Sequence, residues 1–259
     1  MPRPGLPLPH RIAARGSRRR LLRGLTGADA PPRWGAALPF GVRYPAILFD
    51  FDGTLVDSIG LIIDSYHHTM RAHGLPPRDD AFWIAGLGTP LRVQFRHFTD
   101  DPAEVERLIA TYREWNLARH DERVRAYPGA LDTVCRLHAA GAKLGIVTSK
   151  NRHGLQKGLA LCGFDGLFDV LVTSDDPVAS KPSPEPVAAA LSRLGAATAD
   201  ALVVGDSPHD IASGRDAGAT TAACLWGPFS RDQLAAEHPD HWLASFADLQ
   251  RITDLKATA

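Results

Sequence analysis

From position 46 onward the chain repeats one pattern: a short apolar run ends in a polar or acidic residue, and a helical stretch follows that a glycine closes. Residues 46–51, 144–149, 169–174, 201–206 and 220–226 read as buried strands, because they are brief and apolar on consecutive positions rather than alternate ones. Between them, residues 130–140, 151–162, 184–194 and 208–217 read as helices ending at Gly141, Gly163, Gly195 and Gly218. Strands and helices alternating at this spacing call for an α/β fold, a parallel sheet flanked by helices on both faces.

The alternation breaks once, after the first strand. Residues 59–126 contain no convincing strand but two amphipathic faces, one of Ile59, Ile62, Ile63, Tyr66 and Met70, the other of Val105, Leu108, Ile109, Tyr112 and Trp115. This predicts an all-helical insert that would lie as a lid over the carboxyl edge of the sheet, where ligands of open α/β sheets bind. The expected division is a core of residues 45–58 and 127–259, a helical cap of 59–126, and a disordered basic extension of 1–44. A length of 259 residues suits one large domain with such an insertion.

Residues 1–45 hold eight prolines and nine of the 29 basic side chains against one acid, which leaves 20 basic and 28 acidic side chains in residues 46–259, a formal charge of −8. An acidic body argues against a nucleic-acid surface on the core. The extension shows no sustained period, and because arginine outnumbers lysine 24 to 5 across the whole chain, a bias of GC-rich genomes, it reads as translated upstream sequence rather than a functional arm. It lacks the apolar stretch of a secretory signal, no run approaches the roughly 20 residues of a membrane span, and three cysteines without C-x-x-C spacing suggest neither zinc nor a redox pair. The expected protein is cytoplasmic, off the membrane, and a monomer or homodimer.

Four polar clusters fall at the carboxyl ends of predicted strands: Asp50-Phe51-Asp52-Gly53-Thr54, Thr148-Ser149, Lys181, and Gly205-Asp206-Ser207-Pro208-His209-Asp210. Each alone could be a helix cap or a turn. In this order they resemble the haloacid dehalogenase-like hydrolase superfamily, whose D-x-D-G-T motif stands at 50–54, whose hydroxyl motif is similar to Thr148, whose lysine is similar to Lys181 in S-K-P-S-P-E-P, and whose acidic motif is similar to G-D-S-P-H-D at 205–210. The resemblance spans residues 45–250 and implies a Rossmann-like core with a small helical cap.

It also implies roles. Asp50 would be the nucleophile that forms an aspartyl-phosphate, and Asp52 the acid that protonates the leaving oxygen and then the base that activates water. Mg2+ would be held by the Asp50 carboxylate, the Asp52 carbonyl and Asp206, with Asp210 acting from behind them. Thr148 would hold phosphoryl oxygens, and Lys181 would offset their charge. Gly53, Thr54 and Ser149 join the expected substrate-binding set. Lys150, beside Ser149, reads as a solvated lysine at a helix start, and His67, His68 and His73 read as cap residues rather than a metal cluster.

Asp52 argues against a dehalogenase, which needs no acid for a halide leaving group, and a cap without lysine argues against a Schiff-base phosphonate hydrolase. The cap stretches 62–70, 86–91 and 112–124 resemble the branch of phosphoglycolate phosphatases and bacterial pyrophosphatases. The expected partner is therefore a small phosphorylated metabolite or pyrophosphate, contacted by Gly86, Leu87, Gly88, Thr89, Arg92, Asn116 and His120. A sugar phosphomutase, or a non-catalytic module on the same scaffold, is the alternative.

Overall fold

A computed structural model describes residues 42–255; the expected extension lies outside the described residues up to position 41. The strands are β1 (Ala46–Phe49), β2 (Val56–Asp57), β3 (Arg125–Ala126), β4 (Lys143–Val147), β5 (Val170–Val172), β6 (Ala201–Gly205), β7 (Thr220–Cys224) and β8 (His241–Leu243). Six of them form one parallel sheet in the order β5-β4-β1-β6-β7-β8. Every side chain of β1 is fully buried. Ile47 and Phe49 face one apolar layer, while Ala46 and Leu48 face the other. A strand covered on both faces needs an unbroken apolar run, and this is why the first strand is visible in sequence.

The core helices are α5 (Ala130–Ala139), α6 (Arg152–Cys162), α7 (Glu185–Leu194), α8 (Pro208–Asp216), α9 (Arg231–Ala235) and α10 (Phe246–Ile252), so all four helices expected in the core are present. The expected strands overrun the observed ones by one to two residues at their carboxyl ends, because Asp50, Thr148 and Asp206 stand on the loops beyond. The edge strand β8 lies outside the expected set: three residues, two of them only half-buried, carry no periodic signal.

The chain passes from β1 to β4 and β5 on one side, then returns to β6, β7 and β8 on the other. The reversal beside β1 opens a crevice at the carboxyl ends of β1, β4 and β6. The paired strands β2 and β3 carry the chain out to the insert and back.

The insert itself is helical: α1 (Ile59–Ala72), α2 (Asp80–Ala85), α3 (Leu91–Phe95) and α4 (Pro102–Arg123). Asp101 caps α4 by accepting from the Ala103 N–H at 3.0 Å, with Pro102 in the first turn. The two expected faces meet: Ile62, Ile63, Tyr66 and Met70 pack with Val105, Leu108, Ile109 and Tyr112. Tyr66 also stacks on the fully buried Trp83, ring centroids 4.2 Å apart. The cap histidines are structural, since His67 bonds Asp80, His73 bonds Thr111 and Glu104, and His68 stacks on Trp115.

The packed body begins earlier than expected. Val42 and Tyr44 are buried in the core, the Arg43 N–H donates to the Thr253 carbonyl at 3.0 Å, and the Tyr44 hydroxyl lies 3.0 Å from His241 Nε2. The expected extension of 1–44 is corrected at these three residues. Apolar side chains separated by an arginine gave no period long enough to register.

Candidate active site

Asp50 leaves β1 with its backbone N–H donating to the Val204 carbonyl at 2.9 Å, which fixes it at the crevice. Its carboxylate is buried, and Oδ1 accepts from Lys181 Nζ at 2.8 Å. The same ammonium donates to Asp210 Oδ1 at 2.5 Å and to the Val147 carbonyl at 3.1 Å, so all three of its protons are placed. Asp210 is also the third residue of the capping box that opens α8: its Oδ2 accepts from the Ser207 N–H at 3.0 Å and the Ser207 hydroxyl at 2.6 Å. A helix cap thus holds the lysine against Asp50.

Asp206 is buried beside them and accepts from the Thr54 hydroxyl at 2.6 Å. Gly53, at φ +90°, passes so near that any Cβ there would collide with the Asp206 carboxylate. Gly53 and Thr54 therefore shape the site from behind Asp206, and neither lines the cleft.

The electrostatics are unbalanced. Burial pushes the Asp50 carboxyl up to about 7, although Lys181 pulls the other way. Burial, with Asp210 and Asp50 nearby, holds Asp206 well above the usual carboxylate range. Burial alone would lower Lys181, but the two carboxylates more than offset it and keep it charged. Carboxylate oxygens of Asp50, Asp206 and Asp210 lie within 4.8 Å of one another around that single ammonium. Hard oxygen donors short of positive charge suit a divalent cation such as Mg2+. Both Asp210 oxygens already accept hydrogen bonds, whereas among the described residues Oδ2 of Asp50 and of Asp206 accepts none. The geometry favours Asp50 and Asp206 as the carboxylate ligands.

Between this cluster and the cap lies a cleft of about 300 Å³. Asp50, Asp52, Thr148, Ser149 and Asp206 line it from the core, and Leu87, Gly88, Thr89, Arg92 and Asn116 line it from the cap. The 86–90 loop reaches the core directly: the Ser149 hydroxyl donates to the Gly88 carbonyl at 2.5 Å, and a Cβ on Gly88, at φ +90°, would lie 3.1 Å from Ser207 Oγ. Gly86 does not face the cleft; its carbonyl accepts from Thr89 and Gln94, closing the turn. His120 does not line it either. The ring is fully buried, Nδ1 lies 2.9 Å from Asp121, and burial lowers its pKa, so the structure places His120 in the packed interior away from the cleft. Asn116 faces the cleft while donating to Ser65 Oγ at 3.0 Å, and Arg92 is held by Glu106 at 2.7 Å.

Two cationic residues of the cleft are absent from the expected site set. Lys150, read above as solvated, is largely buried and donates to both oxygens of Asp52. Arg113 lines the cleft with no hydrogen-bond or ion-pair partner among the described residues; its position on α4, four after Ile109 and three before Asn116, was the available signal.

Comparison with known proteins fits this geometry. The family described as haloacid dehalogenase-like hydrolase matches residues 47–224. The pyrophosphatase PpaX of Halalkalibacterium halodurans is 43% identical over 213 residues, covering 82% of this chain and 97% of the relative. That of Anoxybacillus flavithermus is 44% identical over 209 residues, covering 80% and 95%. Among solved structures, a haloacid dehalogenase-like hydrolase of Bacteroides fragilis superposes with TM-score 0.74 at 26% identity, covering 80% of this chain and 99% of that one. A structure described as a phosphoglycolate phosphatase of Lactobacillus plantarum does so with TM-score 0.70 at 26% identity, covering 81% and 99%.

Proposed function

We propose, from the premise that the chain belongs to the haloacid dehalogenase-like hydrolase family, that it is a magnesium-dependent phosphatase whose preferred substrate is pyrophosphate and whose phosphoryl carrier is Asp50. Membership as a hydrolase sets aside the non-catalytic module. The observation that carries the reading is the buried Asp50–Lys181–Asp210 relay beside Asp206, at the mouth of a capped cleft. Its support for pyrophosphate over an uncharged leaving group is Arg113, a cation that lines the cleft from the cap with no hydrogen-bond or ion-pair partner among the described residues.

The steps follow from the positions. An Asp50 oxygen attacks phosphorus in line, forming the carboxylate–phosphorus bond as the bond to the leaving oxygen breaks. Asp52, two residues along, gives that oxygen its proton; it then takes one from water, which attacks the same phosphorus and frees Asp50. Thr148 and neighbouring backbone N–H groups orient the phosphoryl oxygens, and Lys181 offsets charge on nucleophile and phosphate together. Mg2+, held by Asp50, Asp206 and the Asp52 carbonyl, would supply the remaining positive charge that lets two anions approach. The cap loop excludes water by closing on Ser149.

The test is phosphate release by purified protein across pyrophosphate, phosphoglycolate, sugar phosphates and nucleotides, with Mg2+ and with excess EDTA. Pyrophosphate should give the highest kcat/KM, and EDTA should abolish turnover. A higher kcat/KM for phosphoglycolate would move the assignment to that substrate; full activity in EDTA would remove the metal.

A further inference from the structure

The cleft contains a buried cation that the steps above do not use. Lys150 Nζ donates to Asp52 Oδ1 at 2.9 Å and Oδ2 at 3.0 Å, with side-chain exposures of 12% and 16%. Ser58 Oγ adds a third bond to Asp52 Oδ1 at 2.6 Å. The lysine is itself held at both ends of its peptide unit: its N–H donates to Thr148 Oγ1 at 3.2 Å, and its carbonyl accepts from the Ser174 N–H at 3.1 Å. Gly154, in the first turn of α6, leaves space for the stem and for the Asn151 cap, since a Cβ there would lie 3.2 Å from Lys150 Cε and 2.9 Å from Asn151 Oδ1. A lysine serving only solubility would keep its ammonium in water, because burying it costs hydration and rotamer freedom.

A carboxylate that protonates a leaving oxygen must be aimed at it, and a free Asp side chain swings about two bonds. Two donors from Lys150 and one from Ser58 fix the plane of Asp52 where the core meets the cap. We propose that Lys150 is the positioning residue for Asp52, coupling the loop after β4 to the acid and base of the reaction. The proposal rests on the reading of Asp52 as that acid and base.

The experiment is a double-mutant cycle in the full chain with Mg2+, using Lys150→Met, Asp52→Asn and the pair, on p-nitrophenyl phosphate and on the alkyl phosphate phosphoglycolate. The kcat/KM reports formation of the aspartyl-phosphate, so loss of acid aim should lower it about tenfold or more for the alkyl ester, within the 10²–10⁴ that general acids contribute, and leave the nitrophenyl ester within about threefold. The base step is common to both, so kcat should fall for both. In the Asp52→Asn background Lys150→Met should change nothing further, and Lys150→Arg should restore part of the alkyl-ester rate. Equal kcat/KM losses on the two esters, or additive effects in the pair, would overturn the proposal. Near-normal activity of Asp52→Asn alone would instead overturn the underlying reading of Asp52. Gly154→Ala keeps the lysine but crowds its stem, and should shift the ratio of the two esters in the same direction; an unchanged ratio in this variant and in Lys150→Arg rejects the role even if Lys150→Met does not fold.

Discussion

In the proposed mechanism Asp50 and Asp206 separate two tasks, bond making and charge balance, and single substitutions distinguish them. Asp50→Asn keeps the shape of the side chain but replaces the proposed nucleophile with an amide; turnover should fall by about 10⁴-fold or more. Its melting temperature should stay within a few degrees of the parent, because the substitution removes a charge that burial already disfavours. Phosphate-release assays beside thermal melts check both halves, and near-parental turnover would take Asp50 out of the chemistry. For Asp206 the observable is metal binding. Saturating Mg2+ at about 100 times its dissociation constant stabilises the folded state by about 2.7 kcal/mol, which for a chain of this size raises Tm by roughly 5–10 °C. In Asp206→Ala that rise should shrink to about 1–2 °C, since one of the two carboxylate oxygens open to the ion is lost. An undiminished Mg2+-dependent shift would show that Asp206 is no ligand. The calcium ion, which accepts extra and bidentate oxygens, should bind the same parent protein without supporting turnover.

At the scale of elements, the loop between α2 and α3 is where cap and core chemistry meet. Gly88→Ala would have to hold an alanine at φ +90° while its Cβ crowds Ser207 Oγ at 3.1 Å, lifting the loop from Ser149. Left-handed backbone costs an L-residue roughly 1–2 kcal/mol, so kcat/KM should drop by about tenfold, and unequally across pyrophosphate, phosphoglycolate and sugar phosphates. A uniform loss with the ranking unchanged would reduce the loop to a lid. The sequence announces this loop by its glycines and its place in the insert, yet does not distinguish Gly86, which closes the turn, from Gly88, which approaches the core; that depends on which carbonyl Thr89 and Gln94 bind. The core motifs were legible for a different reason. Each sits at the end of an unbroken apolar strand, so parallel topology alone gathers Asp50, Thr148 and Asp206 on one edge. Lys150 was not legible. The dipole argument against a cation at a helix start presumes that the residue is in the helix, but Asn151 caps α6 and Lys150 stands outside it, facing a carboxylate 98 positions away.

For the molecule as a whole, the question is where the folded body starts. Composition set its edge near position 45, because eight prolines and a triplet of arginines precede that point without a period. The structure moves the edge back to residue 42 at least, through two buried side chains and one backbone hydrogen bond that ties the entry of β1 to the end of α10. Burying a Val or a comparable side chain contributes about 1.5–3 kcal/mol and a hydrogen bond about 1 kcal/mol, before the cost of ordering three residues. A net of about 2–3 kcal/mol is then at stake, which in a domain of this length corresponds to roughly 5–10 °C. A chain beginning at Val42 should therefore melt higher by that amount than one beginning at Pro45, with kcat/KM the same within about twofold, because none of the three residues lines the cleft. Thermal melts of the two proteins side by side decide it: equal melting temperatures would mean that Val42 and Tyr44 rest on the core without stabilising it. A change in substrate ranking would mean instead that the sheet edge at His241, which Tyr44 touches, communicates with the crevice beside β1, three strands in.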